Sequence, residues 1–370
     1  MNRGRFALAT ATLAGLALVA ACGTSKTGTT SAIAGDNQAK AKEIIAPYEG
    51  KPGAFPITEK LSSPVPPGTR VAYVDNGNAL VSLIFKLMQP AAAELGIELY
   101  AVRAGTSASG VQSAFGTVVQ RRPAAVINTA IDPALWENQR KQLADAKIPV
   151  ISLGTVASAD SGLVQPNGGA AFERQGRLQA AWLVANNGKS FEAVLYEHNE
   201  LAYAAAVKKG FESGLKELCP DCVARVVQIP ITEVGNKAPE RIVSDLQAHP
   251  NTRAVVFQSS AAATGLPAKL KVAGLKDVQI VGANPLPTNL QYLKDKQSTV
   301  ELGADLKTLA WTAMDTAARL IVGQKLQPNV VSGEALVHQF LRPEDITFDP
   351  TRGFSAYPDV SDRFKALWQR

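Results

Sequence analysis

The sequence predicts an α/β protein built from two doubly wound parallel-sheet lobes. Three observations carry this. Short apolar runs of strand length alternate with segments whose apolar residues recur at helical spacing. The alternation starts at Arg70, pauses after Leu153 and restarts near Ala170. The length of 370 residues suits about two domains at roughly 100–200 residues each.

The first lobe's strands are expected at Val71–Val74, Ile97–Val102, Ala124–Asn128 and Ile148–Leu153. Between them, Leu83, Leu87, Met88, Ala91 and Leu95 mark a helix over 82–95. Pro90 lies inside it and predicts a kink or a later start, because proline has no amide to donate. Val111, Ala114, Val118 and Val119 mark the next helix, and Leu135–Ala146 the third. In the second half, strands are expected at Ala193–Tyr196, Val223–Ile229, Ala254–Gln258, Gln279–Gly282 and Val300–Leu302. The matching helices are Ala170–Asn186, Leu201–Leu218, Pro239–Ala248, Ala261–Ala273 and Leu306–Val322. Near-continuous Val, Ile and Ala in the strands fit sheets covered on both faces.

Composition removes several classes. With 46% hydrophobic and 19% charged residues, the chain is neither disordered, collagen-like nor a coiled coil. Beyond the N-terminus no apolar run reaches the roughly 18 residues of a membrane span. The net charge is +6, yet basic residues are scattered. Arg121-Arg122 and Lys208-Lys209 are the densest pairs, with no interleaved aromatics, so nucleic acid is not expected as a partner.

Residues 1–21 read as a signal peptide. Arg3 and Arg5 form the charged start, Phe6–Leu18 the apolar stretch, and small residues follow. Val19-Ala20-Ala21-Cys22 resembles a bacterial lipobox. That resemblance implies cleavage before Cys22 and a diacylglycerol on its thiol, hence a lipid-anchored, extracytoplasmic protein. The mature chain keeps 36 Lys and Arg against 32 Asp and Glu, a net +4. Residues 22–69 read as a tether and Pro-rich lead-in: Gly23–Ser31 is rich in Gly, Ser and Thr, and five prolines fall between Pro52 and Pro67. A short helix is expected over 39–45 between these stretches.

Cys219 and Cys222 remain. They lie between a helix and a strand rather than opening a helix, and read as a turn closed by a disulfide, as export permits. His198, His249 and His338 lack paired spacing, so no metal site is expected. Gly105 to Gly110 has the glycine spacing of a phosphate loop, but Val111 and Gln112 stand where Lys and Ser or Thr are needed. There is no dinucleotide fingerprint after the first strand and no Gly-x-Ser-x-Gly elbow. His198 has no nucleophile placed beside it. The chain therefore reads as a binding protein, not an enzyme, with no cofactor.

Ligands in doubly wound sheets bind beyond the carboxyl ends of the strands. That rule selects Asp75, Asn76 and Asn78 after the first strand, and Asn128 and Asp132 after the third. In lobe two it selects His198 and Asn199, then Gln258 with Ser259, Asn284 and Asp305. Together they predict a polar cleft; singly, such residues also suit turns and helix caps.

At this point the chain resembles the ribose-binding-type (type I) periplasmic solute-binding proteins of bacterial ABC importers. The residues carrying this are Val71-Ala-Tyr-Val-Asp-Asn-Gly-Asn78, Ala125-Val-Ile-Asn-Thr-Ala-Ile-Asp-Pro133, Ala146-Lys-Ile-Pro-Val-Ile-Ser-Leu153, the stretch Ala248–Phe257, Ile280-Val-Gly-Ala-Asn284 and Leu320-Ile-Val-Gly-Gln324, in that order. The resemblance implies a monomer whose lobes close about a three-strand hinge. Lobe one would be residues 70–155 plus 305–323, and lobe two 156–304 plus 324–370. It implies capture of a small molecule and delivery to a permease and ATPase; the alternative is a ligand-sensing receptor for a signalling partner. The sequence departs from the sugar binders of that family. Ala79 and Leu80 stand in place of stacking aromatics, Gln258-Ser259-Ser260 in place of Asn-Asp, Asn284 in place of Asp, and Pro133 in place of an arginine. A simple sugar and a less polar, uncharged small molecule are equally compatible with that pattern.

Overall fold

The structure is a computed structural model that describes residues 37–50, 52, 55, 57–158 and 161–369. The expected signal peptide, residues 1–21, and Cys22 lie outside the described residues. Residues 37–45 form a first helix, α1. Lobe one follows as β1 (Arg70–Asp75), α2 (Ala79–Glu94), β2 (Glu98–Arg103), α3 (Ala108–Arg121), β3 (Ala125–Thr129), α4 (Glu137–Asp145), β4 (Val150–Leu153) and β5 (Leu163–Val164). The sheet has the order β2-β1-β3-β4-β5 and every pairing in it is parallel. β5 was not anticipated; two residues are too few to show a pattern.

Lobe two comprises α5 (Gly169–Asn187), β6 (Glu192–Glu197), α6 (Ala204–Leu218), β7 (Val223–Gln228), α7 (Ala238–Ala248), β8 (Thr252–Phe257), α8 (Leu266–Val272), β9 (Gln279–Ala283), α9 (Pro287–Lys294) and β10 (Val300–Ala304). α10 (Leu306–Ile321) and the single-turn α11 (Pro328–Val331) come next, then β11 (His338–Leu341) and α12 (Val360–Trp368). The second sheet runs β11-β10-β9-β8-β6-β7, parallel except for β11. The two doubly wound lobes of the sequence analysis are thus present. Cys219 and Cys222 are disulfide-bonded, with Cα atoms 5.3 Å apart.

Local differences have local causes. α2 starts at Ala79, capped by Asn78, and runs unbroken through Pro90. Pro90 and Lys86 are both exposed, so water can take the carbonyl that proline leaves unpaired. The helix expected over 261–273 is interrupted at Gly265, whose φ of +85° sits in the left-handed region that glycine tolerates.

The connections differ more. The lead-in is not a loose tether from residue 37 onward. α1 buries Ala41 and Ile45 in the core of lobe two beside Leu178 and Trp182, and Gln38 donates to the Ala185 carbonyl at 3.0 Å. Ile57 and Val65 then enter the core of lobe one. β5 extends lobe one past residue 155, so the chain enters lobe two only after Val164. The C-terminus, grouped above with lobe two, returns to lobe one after β11. Trp368 stacks on Trp311 of α10, with ring centroids 5.4 Å apart, and Phe364 packs beside both. Val360, Phe364 and Leu367 form the apolar stripe that drives this docking.

α5 and α6 approach through glycines. A Cβ on Gly210 would lie 1.9 Å from the Glu173 carbonyl oxygen, and one on Gly176 2.0 Å from that of Val207. Backbone cannot yield as a side chain can, so the helices themselves must part. Gly210→Ala is expected to cost about 1–3 kcal/mol in urea unfolding, and an unchanged midpoint would contradict the close approach.

Candidate functional site

A cleft opens between the lobes, enclosing ≈ 710 Å³ of empty space that is continuous with solvent. Its lining comes from the strand ends of both sheets. Lobe one supplies Asn78 after β1, Thr129 and Ala130 after β3, and Gly154 after β4. Leu80, Val81 and Ile84 face it from the start of α2, and Leu306 and Leu309 from the start of α10. Lobe two supplies His198, Leu201 and Tyr203 after β6, Ile231 and Val234 after β7, Ser259 and Ala261 after β8, and Asn284 after β9. Asn167, Phe172 and Leu336 line it where the chain passes between lobes.

Of the ten ligand-binding residues expected from sequence, Asn78, His198 and Asn284 line the cleft. The other seven do not. Asp75 accepts from the Gly77 amide at 2.8 Å and from the Ser82 hydroxyl at 3.2 Å. Asn76 accepts from the Asn78 amide at 3.0 Å. Asn128 is fully buried and donates to the Ser152 hydroxyl at 2.8 Å. Asp132 caps the short turn at Pro133–Trp136, and Asn199 is exposed on the following turn of lobe two. Asp305 caps α10 through the Thr308 amide at 2.8 Å and also binds the Ala356 amide at 2.8 Å. Short polar side chains at strand ends are drawn to orphan backbone amides before any ligand arrives. Gln258 plays a supporting part: its amide accepts from the His198 backbone at 3.1 Å and donates to the Ala204 carbonyl at 2.9 Å.

The three that remain are held with one polar atom spare. His198 is 2% exposed, and its Nδ1 lies 2.7 Å from the Ile229 carbonyl. A carbonyl only accepts, so Nδ1 carries the proton and Nε2 is a free acceptor. Burial holds the imidazole pKa below its ordinary value, so the ring stays neutral. Asn284, at φ +52°, donates to Gln175 Oε1 at 3.1 Å and to the Gln258 carbonyl at 3.2 Å, leaving its own oxygen for the cleft. Asn78 accepts from the Leu80 amide at 2.9 Å and keeps its NH₂.

Sequence reasoning missed most of the lining. Thr129 and Asn167 are polar contributors outside the strand-end selection. Tyr203 and Phe172 stack with centroids 4.5 Å apart and planes 12° from parallel. The Tyr203 ring is 5% exposed, and burial alone raises its hydroxyl's pKa, so it stays protonated. Neither that hydroxyl nor Ser259 Oγ has a hydrogen-bond partner among the described residues. The apolar wall from Leu80 to Leu336 gave no signal of its own, because helix-face leucines read the same whether they face a core or a ligand. Among the lining residues there is no Asp, Glu, Lys, Arg or Cys, and no group of three His, Cys, Asp or Glu could hold a metal among the described residues. The arrangement offers neutral donors and acceptors on apolar walls and no acid–base pair for chemistry.

A family model for the periplasmic binding protein domain matches residues 71–325. The chain belongs to the periplasmic binding protein family. No curated protein is similar enough in sequence to register as a match. Among solved structures, the chain is similar to the 5-methylthioribose transporter solute-binding protein of Thermotoga lettingae, with 16% identity over 84% of this chain and 99% of that one and a TM-score of 0.68. It is also similar to a Burkholderia graminis ABC-transporter solute-binding protein bound to D-arabinose, at 18% identity over 78% of this chain and 98% of that one, with a TM-score of 0.66. An Actinobacillus succinogenes solute-binding protein bound to D-allose matches at 18% identity over 75% of this chain and 98% of that one, with a TM-score of 0.64. At these identities the similarity establishes a shared two-lobed fold. Members of the periplasmic binding protein family bind solutes and are not enzymes. Among the described residues no helix of this one is long and apolar enough to cross a membrane.

Proposed function

We propose that this protein captures a small molecule in the inter-lobe cleft and delivers it to the permease and ATPase of an ABC importer, held to the outer face of the membrane by a lipid on Cys22. One observation carries the reading. The hydroxyls of Tyr203 and Ser259 and the Nε2 of His198 belong to residues that line a cleft between two lobes, and none has a partner among the described residues. A solute that displaces water from the cleft would leave each unpaired, at about 1–3 kcal/mol, unless it bonds to them itself. The named ligands of the similar structures, sugars and a thioalkyl sugar, support a sugar-like or other semi-polar solute.

A thermal-shift screen over sugars, polyols, amino acids and small apolar metabolites tests this. A ligand at about 100 times its Kd is expected to add about 2.7 kcal/mol of stability. Tyr203→Phe, which removes one hydrogen bond to the ligand, and His198→Leu, which removes one to the ligand and also the bond to the Ile229 carbonyl, should each weaken its binding by about tenfold or more. A screen with no shifting compound, or binding indifferent to both substitutions, overturns the reading. Mass spectrometry of envelope-purified protein is expected to show Cys22 as a diacylglyceryl N-terminus; residues 1–21 still attached would remove the anchor.

A further inference from the structure

We infer that the cleft is built for an uncharged ligand with a substantial apolar part, and selects against free sugars and charged solutes; this rests on the receptor reading above. Three observations combine. First, the two carboxylates that sequence places nearest the strand ends are already spent. Asp75 is committed to Gly77 and Ser82, and Asp305 to Thr308 and Ala356. No charged side chain is left to line the cleft, and a charged ligand would lose its hydration with no counter-ion to replace it.

Second, the free polar atoms are neutral and of mixed type. His198 Nε2 and the Asn284 oxygen accept, while the NH₂ groups of Asn78 and Asn167 and the hydroxyls of Tyr203 and Ser259 can donate. That set matches a head bearing a small number of hydroxyl or carbonyl groups.

Third, the rest of the wall is apolar and comes from both lobes: Leu80, Ile84 and Leu309 on one side, Phe172, Ile231 and Val234 on the other. Lobe closure would press these surfaces onto the ligand. An unsubstituted sugar carries a hydroxyl on almost every ring carbon and would leave several facing leucine and isoleucine, each unpaired. An alkyl or aryl substituent in their place turns the same wall into favourable contact area.

The experiment is a set of matched titrations by calorimetry on the mature full-length protein. It uses D-ribose and D-galactose, their butyl and phenyl glycosides, galacturonate, and a series of uncharged monoterpenoid and aromatic alcohols. The expected result is that the tightest binders are uncharged members carrying the alkyl, aryl or terpenoid group, at least tenfold tighter than the free sugars, with galacturonate showing no heat. The partly exposed Leu80 allows a variant that should still fold: Leu80→Gln is expected to weaken the apolar-bearing ligand by about tenfold and so narrow its advantage over the free sugars; an undiminished advantage counts against the inferred apolar contact. Tightest binding by a free sugar or by galacturonate overturns the inferred ligand class and leaves the receptor reading standing. Heat from none of the set overturns both.

Discussion

Replacing Arg319 by methionine is expected to cost about 3–5 kcal/mol in urea unfolding, because it strands a buried carboxylate. Arg319 and Asp315 sit one turn apart on α10, both side chains 2% exposed, with Nε 2.6 Å from Asp315 Oδ2. Trp368 donates to the same carboxylate at 2.9 Å. The guanidinium also reaches the lead-in, donating to the Glu59 carbonyl at 2.5 Å and to that of Lys60 at 3.4 Å. One ion pair therefore ties the helix, the C-terminus and the N-terminal lead-in together. Two results distinguish this network from ordinary packing loss. Limited proteolysis near Glu59 and Lys60, which are exposed, should accelerate in Arg319→Met. The double variant Asp315→Leu/Arg319→Met should recover most of the loss, since an apolar pair removes the unpaired charge. A double variant no more stable than the single one would show that the ion pair is not the source.

The second large effect is a fall in stability between about pH 6.5 and 8. Glu301, fully desolvated on β10, has a pKa raised to about 8, with its carboxyl against the Ser260 hydroxyl at 2.5 Å. A group whose folded pKa is raised binds its proton more tightly in the folded state. Its stabilisation is complete below the unfolded carboxyl pKa and is lost as pH rises through about 8. His338 works in the opposite sense. Neither ring nitrogen has a hydrogen-bond partner, and burial drops its pKa to about 3. Its contribution is complete above the unfolded imidazole pKa of about 6.5 and is lost on acidification below it. At about 1.4 kcal/mol per pH unit for each group, the two slopes cancel between roughly pH 4.5 and 6.5. Above that window His338 no longer offsets Glu301, whose own share of the fall is about 2 kcal/mol by pH 8; burial raises Asp305 and Asp315 in the same direction. Glu301→Gln keeps a partner for Ser260 without an ionisable proton. Urea midpoints of that variant should fall less steeply from pH 6.5 to 8 than the wild type's; a slope as steep as the wild type's would assign the fall elsewhere.

The parallel strands and most crossover helices were legible because their signals are local. Val71–Val74 and Ala254–Phe257 are short, β-branched-rich apolar runs that suit a strand buried on both faces, and the spacing in Leu306–Val322 suits a helix. Pro90 and Gly265 show the limit of that logic. Solvent at Lys86 rescued the helix through the proline, whereas the left-handed backbone at Gly265 broke a pattern that periodicity alone would continue. The cleft was less legible. The strand-end rule found Asn78, His198, Ser259 and Asn284, yet the same rule selected Asp75 and Asp305, whose side chains serve neighbouring backbone amides, and Asn128, which is spent on Ser152. Tyr203 and Phe172 gave no sign, since one stands in the turn before α6 and the other on α5, far apart in sequence.

What the sequence determined by itself is the alternation of elements, the two-lobed class, and the general place of the cleft beyond the strand ends. These follow from hydrophobic periodicity and chain connectivity, which operate over a few residues at a time. Only the tertiary structure decided which polar atoms remain unpaired, that charge is absent from the cleft lining, and that the described part of the lead-in and the C-terminal segment are each fastened to both lobes. Each of those depends on which groups meet through space. Asp75 could have faced a ligand until the Gly77 amide took it, and residues 37–69 could have been a tether until α10 and lobe two offered Arg319 and an apolar seat for Ile45.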